Sequence, residues 1–345
     1  SEETADRLSR SNVRAGDLVF PHRGAIGEVG IVPHDGFDRW MLSTSLMKLT
    51  CDATKADPLY VFYFFRSPLG RHELLQYAST VGTPGIGQPL TSLKSCRLPL
   101  PPLDEQRRIV AVLGALDDKI ELNRRMNRTL EAMAQAIFNS WFIDFDGVPD
   151  SEMVESELGP IPKGWEVKPL SACIELAYGK SLPKKRRVPG NVPVYGSGGI
   201  TGYHNESLVE GPGIIVGRKG SVGTVYWEEG PFFPIDTTFF VEPTVGAHWL
   251  PWIFFHLDRM DIPRLGADSA VPGVNRNSLL AQKWVVPPEN RIREFLDLRA
   301  PIRRRMQANT VQSRTLAALR DALLPKLISG EIRVPEAEEA VEAVA

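Results

Sequence analysis

The sequence predicts an α+β fold: two β-rich globular units separated by an antiparallel two-helix coiled coil, arranged as a pseudo-twofold internal repeat. Three observations predict it. Residues 18–29, LVFPHRGAIGEV, recur as IIVGRKGSVGTV at 214–225. Two long stretches, each opening after a Pro-Pro, carry apolar residues at alternating steps of four and three. Ahead of each lie short apolar or aromatic runs punctuated by Gly and Pro, which is the pattern of strands and turns.

The repeat is collinear. In the first pair Gly24 matches Gly220, Gly27 matches Gly223 and Val29 matches Val225, 196 residues apart. Further on TPGIG (83–87) resembles VPGVN (271–275), TSL (91–93) meets NSL (277–279) and LPLPP (98–102) meets VVPP (285–288). From there the separation is 186, joining Pro101 with Pro287, Asn123 with Asn309 and Leu130 with Leu316. A series of matches in one order is a duplication.

The first helical stretch holds Ile109, Leu113, Leu116, Ile120, Asn123, Asn127, Leu130, Ala134, Ile137 and Trp141 on one seam, with Asp104 as its expected N-cap. The second holds Phe295, Ile302, Met306, Asn309, Leu316, Leu323 and Leu327. Apolar seams must be buried, and the simplest way is for the two helices to pair. The globular segment between them allows antiparallel pairing, which brings Asn123 and Asn309 together. A buried Asn pair fixes register at a cost in stability; the alternative is that both face solvent. In the globular units VPVYG, GIIVG, TVYW and FFPIDTTFFVE read as strands. The aromatic segments 58–78 and 249–259 read as helices that supply core rather than stacking platforms.

Composition sets outer limits. The 345 residues suffice for two or three domains, and 43% apolar with 24% charged content is ordinary for a globular protein. No apolar run approaches the roughly 18 residues of a membrane span, and the opening SEETADRLSR lacks the pattern of a signal peptide. Three scattered cysteines argue against a disulfide framework and fit a reducing cytoplasm; no metal-ligand spacing is present. A net charge of −2 gives no general affinity for polyanions. Local basic clusters at 123–128, 184–187, 218–219 and 302–305 can still meet phosphate or can be solvated surface.

IIVGRKGSVGTV invites comparison with a nucleotide cradle. A P-loop needs its lysine after the second glycine, with a helix opening there. Here Arg218 and Lys219 precede Gly220, and VGTVYW reads as strand. YGSGG (195–199) fails in the same way, since no helix pattern follows it. Strand–turn–strand, with glycines permitting close backbone approach, is the better reading of both.

Three segments carry a family resemblance: LPLPPLDEQRRIVAVLGALDDKIELNRRMNRTLEAMAQAIFNSWFIDFD (98–146), LGPIPKGWEVKPL (158–170) and LLPKLISGEIRV (323–334). The Pro-Pro-x-x-Glu-Gln helix start and Phe-x-x-Trp-Phe-x-x-Phe helix end are its most specific parts. In these the chain resembles the specificity subunit of type I restriction–modification systems, over nearly its whole length. The resemblance implies a first target-recognition domain at 1–100, a spacer helix at 101–146, a second recognition domain at 147–286, a second spacer helix at 287–330 and an acidic, alanine-rich tail at 331–345. It implies a cytoplasmic, non-catalytic subunit that reads a bipartite site on double-stranded DNA. Two adenine methyltransferase subunits would dock on it, and restriction subunits with translocase and endonuclease activity can join them. The chain itself would bind no cofactor; S-adenosylmethionine, ATP and magnesium would sit on the partners. One departure stands out. The second unit's IPKGW and VPVYGSGG have no counterpart ahead of residue 15, so the first domain is incomplete, as a fragment or by natural shortening.

The residues fit this reading. Phosphate contacts position a protein on DNA, and polar loop residues read base edges. The candidates are Arg218, Lys219 and Ser221 at the repeated turn, with His22 and Arg23 in its twin. Lys184, Lys185, Arg186 and Arg187 form a basic loop. Tyr195, Ser197, His204, Asn205, Asn275, Arg276 and Asn277 complete the set; for each the alternative is turn chemistry or solvation. Trp141, Phe142 and Phe145 at the helix exit either dock a partner or pack against their own domain. Two rival readings are a coiled-coil adaptor that binds only proteins and a fused restriction–methylation enzyme. The enzyme would need an (N/D)-P-P-(Y/F) motif, which PPLD and PPEN do not supply.

Overall fold

The computed structural model describes residues 11–34, 36, 40–79, 82–266 and 273–343. The chain divides into two compact units, 1–127 with 306–345, and 128–305. Each contains a β-rich portion and a stretch of both long helices.

In the first unit Leu18–Pro21 is the centre of an antiparallel three-stranded sheet, between Gly30–Ile31 and Leu46–Leu49. Strand alternation turns Leu18 and Phe20 inward, both fully buried. The helix Pro58–Arg66 starts at Asp57, whose carboxylate accepts from the Leu59 N–H at 2.8 Å, with Pro58 in the first turn where its missing N–H costs nothing. Ser67 ends it and caps the next helix, Pro68–Leu75, by accepting from the Gly70 N–H. Tyr60, Tyr63, Phe64 and Phe65 are all buried, and Phe65 meets Phe20 edge-on at 4.9 Å. Each ring so buried contributes about 1.5–3 kcal/mol. These four aromatics of the segment are core, as expected; Phe62 is half-buried and Tyr77, against the expectation, is exposed.

The second unit holds a four-stranded sheet in the order Ile174–Tyr178, Thr238–Pro243, Gly213–Gly217, Val225–Glu228. GIIVG is buried along its whole length. Ile214 and Val216 enter the main core, while Ile215 enters a smaller cluster with Tyr195 and Phe232. A strand covered on both faces reads as an unbroken apolar run rather than an alternating one. The smaller cluster underlies a second sheet, Gly199–His204, Val192–Gly196, Phe233–Pro234. The helix Leu250–Arg259 closes the main core with Trp252, Ile253, Phe255 and Leu257.

The long helices are Leu103–Phe142 and Glu289–Ser329, of 40 and 41 residues. Each is about 60 Å long at about 1.5 Å per residue. They run antiparallel within each unit. In the first, Asp117 meets Arg320 and Asn123 meets Asn309; in the second, Phe138 and Phe142 meet Phe295 at 5.8 and 5.3 Å. Two expectations need correction. Asp104 lies inside the first turn, since the helix opens on Leu103 with the Pro102 carbonyl accepting from Glu105 and Gln106. Its carboxylate acts there on the helix dipole instead of as a cap. Near the helix exit the buried positions are Ala134, Phe138 and Phe142, with Ile137 and Trp141 only half-buried. Steps of four replace the four–three alternation because the helix there meets a globular core wider than a single partner helix. The tail forms a helix, Val334–Glu342, anchored by buried Val334 and Ala337.

Candidate nucleic-acid interface

The repeated turn is the same object in both units. Gly24 and Gly27 have φ of 79° and 87°; Gly220 and Gly223 have 82° and 76°. These left-handed conformations favour glycine. The Ile26 N–H donates to Gly24 O and the Val222 N–H to Gly220 O, both at 2.9 Å. Arg23 bridges Gly85 as Lys219 bridges Gly273. The Ile86 N–H donates to His22 O at 3.0 Å, and the Val274 N–H to Arg218 O at 3.0 Å. So the TPGIG and VPGVN matches are structural: each sends one strand residue to brace its turn. Residues 271 and 272 of the second match lie outside the described residues.

In the second unit the two glycine-rich motifs meet. The Thr224 hydroxyl donates to Ser197 O at 2.6 Å and the Tyr226 hydroxyl to the same oxygen at 3.3 Å. A side chain at Gly217 would collide with Ser221 O, and one at Gly223 with Pro263, at 2.3 and 2.6 Å. The glycines admit backbone contact, which is why the spacing imitates a phosphate loop without being one. At the surface this leaves Lys219, Gly220 and Ser221 exposed, with Asn275 exposed on the segment beyond Gly273.

Arg218 is half-buried. Its guanidinium lies 5.0 Å from the Tyr178 ring centroid and 5.7 Å from that of Phe239, and it donates to Asp236 O at 3.2 Å. Lys184, Lys185 and Arg186 are exposed on a single 3-10 turn. Arg187 is not free with them: it donates to Leu182 O and, at 2.9 Å, to Thr201 O, pinning the basic loop to the strand Gly199–His204. His204 is buried and accepts from the Val188 N–H at 3.0 Å, holding the other end of that loop. Tyr195 is buried and donates to Glu228 at 2.9 Å; burial and that carboxylate push its phenol up. Ser197 is 9% exposed. Asn275 caps the helix Arg276–Leu280, accepting from Asn277 and Ser278 N–H groups, and Arg276 binds Leu176 O and Glu175. Asn205 and Asn277 are exposed. In the first unit Arg23 is exposed, while the His22 ring is hydrogen-bonded to Thr44 O at 3.0 Å.

Of the helix-exit aromatics, Phe142 is 1% exposed and packs against Trp165, Trp252 and Phe295 of its own unit, which decides between its two readings. Phe145 leans on Trp165, and Trp141 lies 3.7 Å beneath the Arg291 guanidinium. Asn123 and Asn309 are both 1% exposed. Asn123 donates to Asn309 O, Gln312 and Ser313; Asn309 donates to Asn127 Oδ1 at 2.8 Å. The polar contact therefore spreads over five side chains rather than one pair. Sequence reasoning missed Asp117, which accepts from Tyr63 at 2.9 Å, from Arg66 at 3.3 Å and from Arg320. Its only signal was an acidic residue beside a seam.

Among the described residues no cluster of His, Cys, Asp and Glu could hold a metal ion, and no helix is long and apolar enough to cross a membrane.

The family model described as type I restriction modification DNA specificity domain matches residues 1–132 and 162–245. The chain belongs to this family. The two matched segments each include one copy of the repeated turn. Among curated members the chain is 26% identical over 306 residues to the type I restriction enzyme MjaIX specificity subunit of Methanocaldococcus jannaschii, spanning 80% of this chain and 69% of that one. It is 23% identical to the HindI specificity subunit of Haemophilus influenzae, spanning 94% of this chain and 88% of that one. The crystal structure of a type I restriction–modification S subunit from M. genitalium shares the fold, with a TM-score of 0.55 at 18% identity over 91% of this chain and 83% of that one. The family's members are specificity subunits, the DNA-recognition component and not the catalytic one.

Proposed function

We propose that this specificity subunit reads a bipartite duplex site, one half with each unit, through the repeated basic turn and the loops beside it. The observation that carries the reading is the duplication of the turn down to its hydrogen bonds: the Ile86 N–H donates to His22 O in one unit as the Val274 N–H donates to Arg218 O in the other. Two equivalent cationic turns in one chain suit two half-sites at a fixed separation. Lys219 and Arg23 supply phosphate contacts, with Lys184, Lys185 and Arg186 as a further backbone contact in the second unit. Exposed Ser221, Asn205 and Asn277 supply base-edge groups. Adenine methyltransferase subunits, two by the symmetry of the repeat, dock on the chain and bring S-adenosylmethionine; restriction subunits bring ATP and magnesium. The test is DNA binding by the full chain at graded salt. Wild type gives a steep negative slope of log affinity on log salt, and Lys219→Ala or Arg23→Ala each flattens it by roughly one. A slope indifferent to both variants removes the turns from the interface.

A further inference from the structure

The two units differ at the N-cap position of the helix that lies beyond the glycine bridge. In the second unit it is Asn275, with ordinary φ of −77° and its side chain spent on capping. In the first unit the residue opening the corresponding helix, Pro89–Ser95, is Gln88. Gln88 is held left-handed, φ 49° and ψ 62°, and makes no side-chain cap bond. A glutamine pays for that conformation where a glycine would not. Such residues persist where the surroundings impose them, and they cluster at ligand sites.

A groove of about 570 Å³ opens at this point, lined by Tyr77, Gln88, Thr91 and Ser95 among others. Tyr77 is 52% exposed, and its carbonyl accepts from the Gly87 N–H at 3.3 Å, fixing the neighbour of Gln88. The Ser92 and Ser95 hydroxyls are committed to Gly87 O and Ser92 O. Gln88 thus offers the groove a carboxamide, beside an exposed aromatic ring. The bridge from Arg23 to Gly85 brings the cationic turn to the same short segment.

From this juxtaposition, and resting on the DNA-reading function above, we infer that the groove lined by Tyr77 and Gln88 reads one base edge of the first half-site. Gln88 is the specificity-determining residue and adenine its partner, because a carboxamide matches the adenine N6–N7 edge in both hydrogen bonds. Arg23 holds the adjoining phosphate.

The experiment is selection of a randomised duplex library by the full chain, comparing wild type with Gln88→Gly and Gln88→Glu. Glycine fits the left-handed backbone, so that variant folds at least as well as wild type. Wild type is expected to select adenine at one position of one half-site. Gln88→Gly relaxes that position by on the order of ten- to a hundredfold and leaves all others unchanged. Gln88→Glu moves the same position toward cytosine, whose exocyclic amine suits a carboxylate. A Gln88→Gly motif identical to wild type, or a uniform loss at every position, overturns the inference while leaving the chain a DNA reader. A wild type that selects no sequence overturns the DNA-reading function itself and this inference with it.

Discussion

Acid should unfold the second unit through His256. The ring is 8% exposed and wedged against Trp252 at 4.5 Å, Trp284 at 5.4 Å and Phe138 at 5.0 Å. Burial first, and the nearby Arg259 charge second, lower its pKa to about 3. The folded form therefore binds fewer protons than the unfolded one, whose imidazole titrates near its ordinary value of about 6.5. Stability from this residue is complete above that value and drains away as pH falls from there toward 3. Between pH 7 and 4.5 the loss is about 2.5 kcal/mol, at about 1.4 kcal/mol per pH unit once the unfolded imidazole is protonated. Six of the seven tryptophans lie in the second unit, so intrinsic fluorescence during urea unfolding reports on that unit almost alone. The comparison is wild type against His256→Phe at both pH values. Wild type should lose about 2.5 kcal/mol more than the variant on acidification. Equal losses would refute the buried neutral imidazole as the acid-sensitive element.

Asp117→Ala should destabilise the first unit by about 2 kcal/mol, between an exposed pair and a fully buried one, because it leaves Arg320, whose side chain is 14% exposed, with Asp321 of its own helix but no partner on the facing one, and removes the acceptor of Tyr63. Chemical denaturation followed by circular dichroism measures it, and a change under about 0.5 kcal/mol speaks against the hub. Gly223→Ala adds a Cβ 2.6 Å from Pro263 at φ 76°. It should therefore weaken DNA binding through the turn's geometry with every cation retained. Gly24→Ala meets no atom within 4 Å and should cost less.

The features legible in the sequence were those imposed by backbone geometry. Left-handed turns restrict Gly24, Gly27, Gly220 and Gly223 to glycine, so the repeat survived in its glycines while strand residues drifted. Helical periodicity marked the long helices to within a few residues and brought Asn123 and Asn309 into one seam. What escaped was direction. Tyr195 lies in VPVYG, whose strand pattern does not say which face is covered, and His204 sits in a Gly-rich segment that reads as surface loop, yet a small sheet folds both inward. Arg187 and Arg218 read as free cations, but a carbonyl in one case and a pair of aromatic rings in the other engage them. Phe142 lies one residue from Trp141, and only tertiary packing decides which of the two is covered. Gln88 carried no signal at all, because its strain is a property of the backbone and not of its neighbours in sequence.

The most direct measurement is the logo recovered when the full chain selects from a fully randomised duplex. Two short specified blocks flanking an unspecified stretch of constant length are the expected result, with Lys219→Ala weakening retention of the whole and altering neither block. One unbroken block, or enrichment indistinguishable from the starting library, would contradict a chain that reads DNA with two copies of one turn.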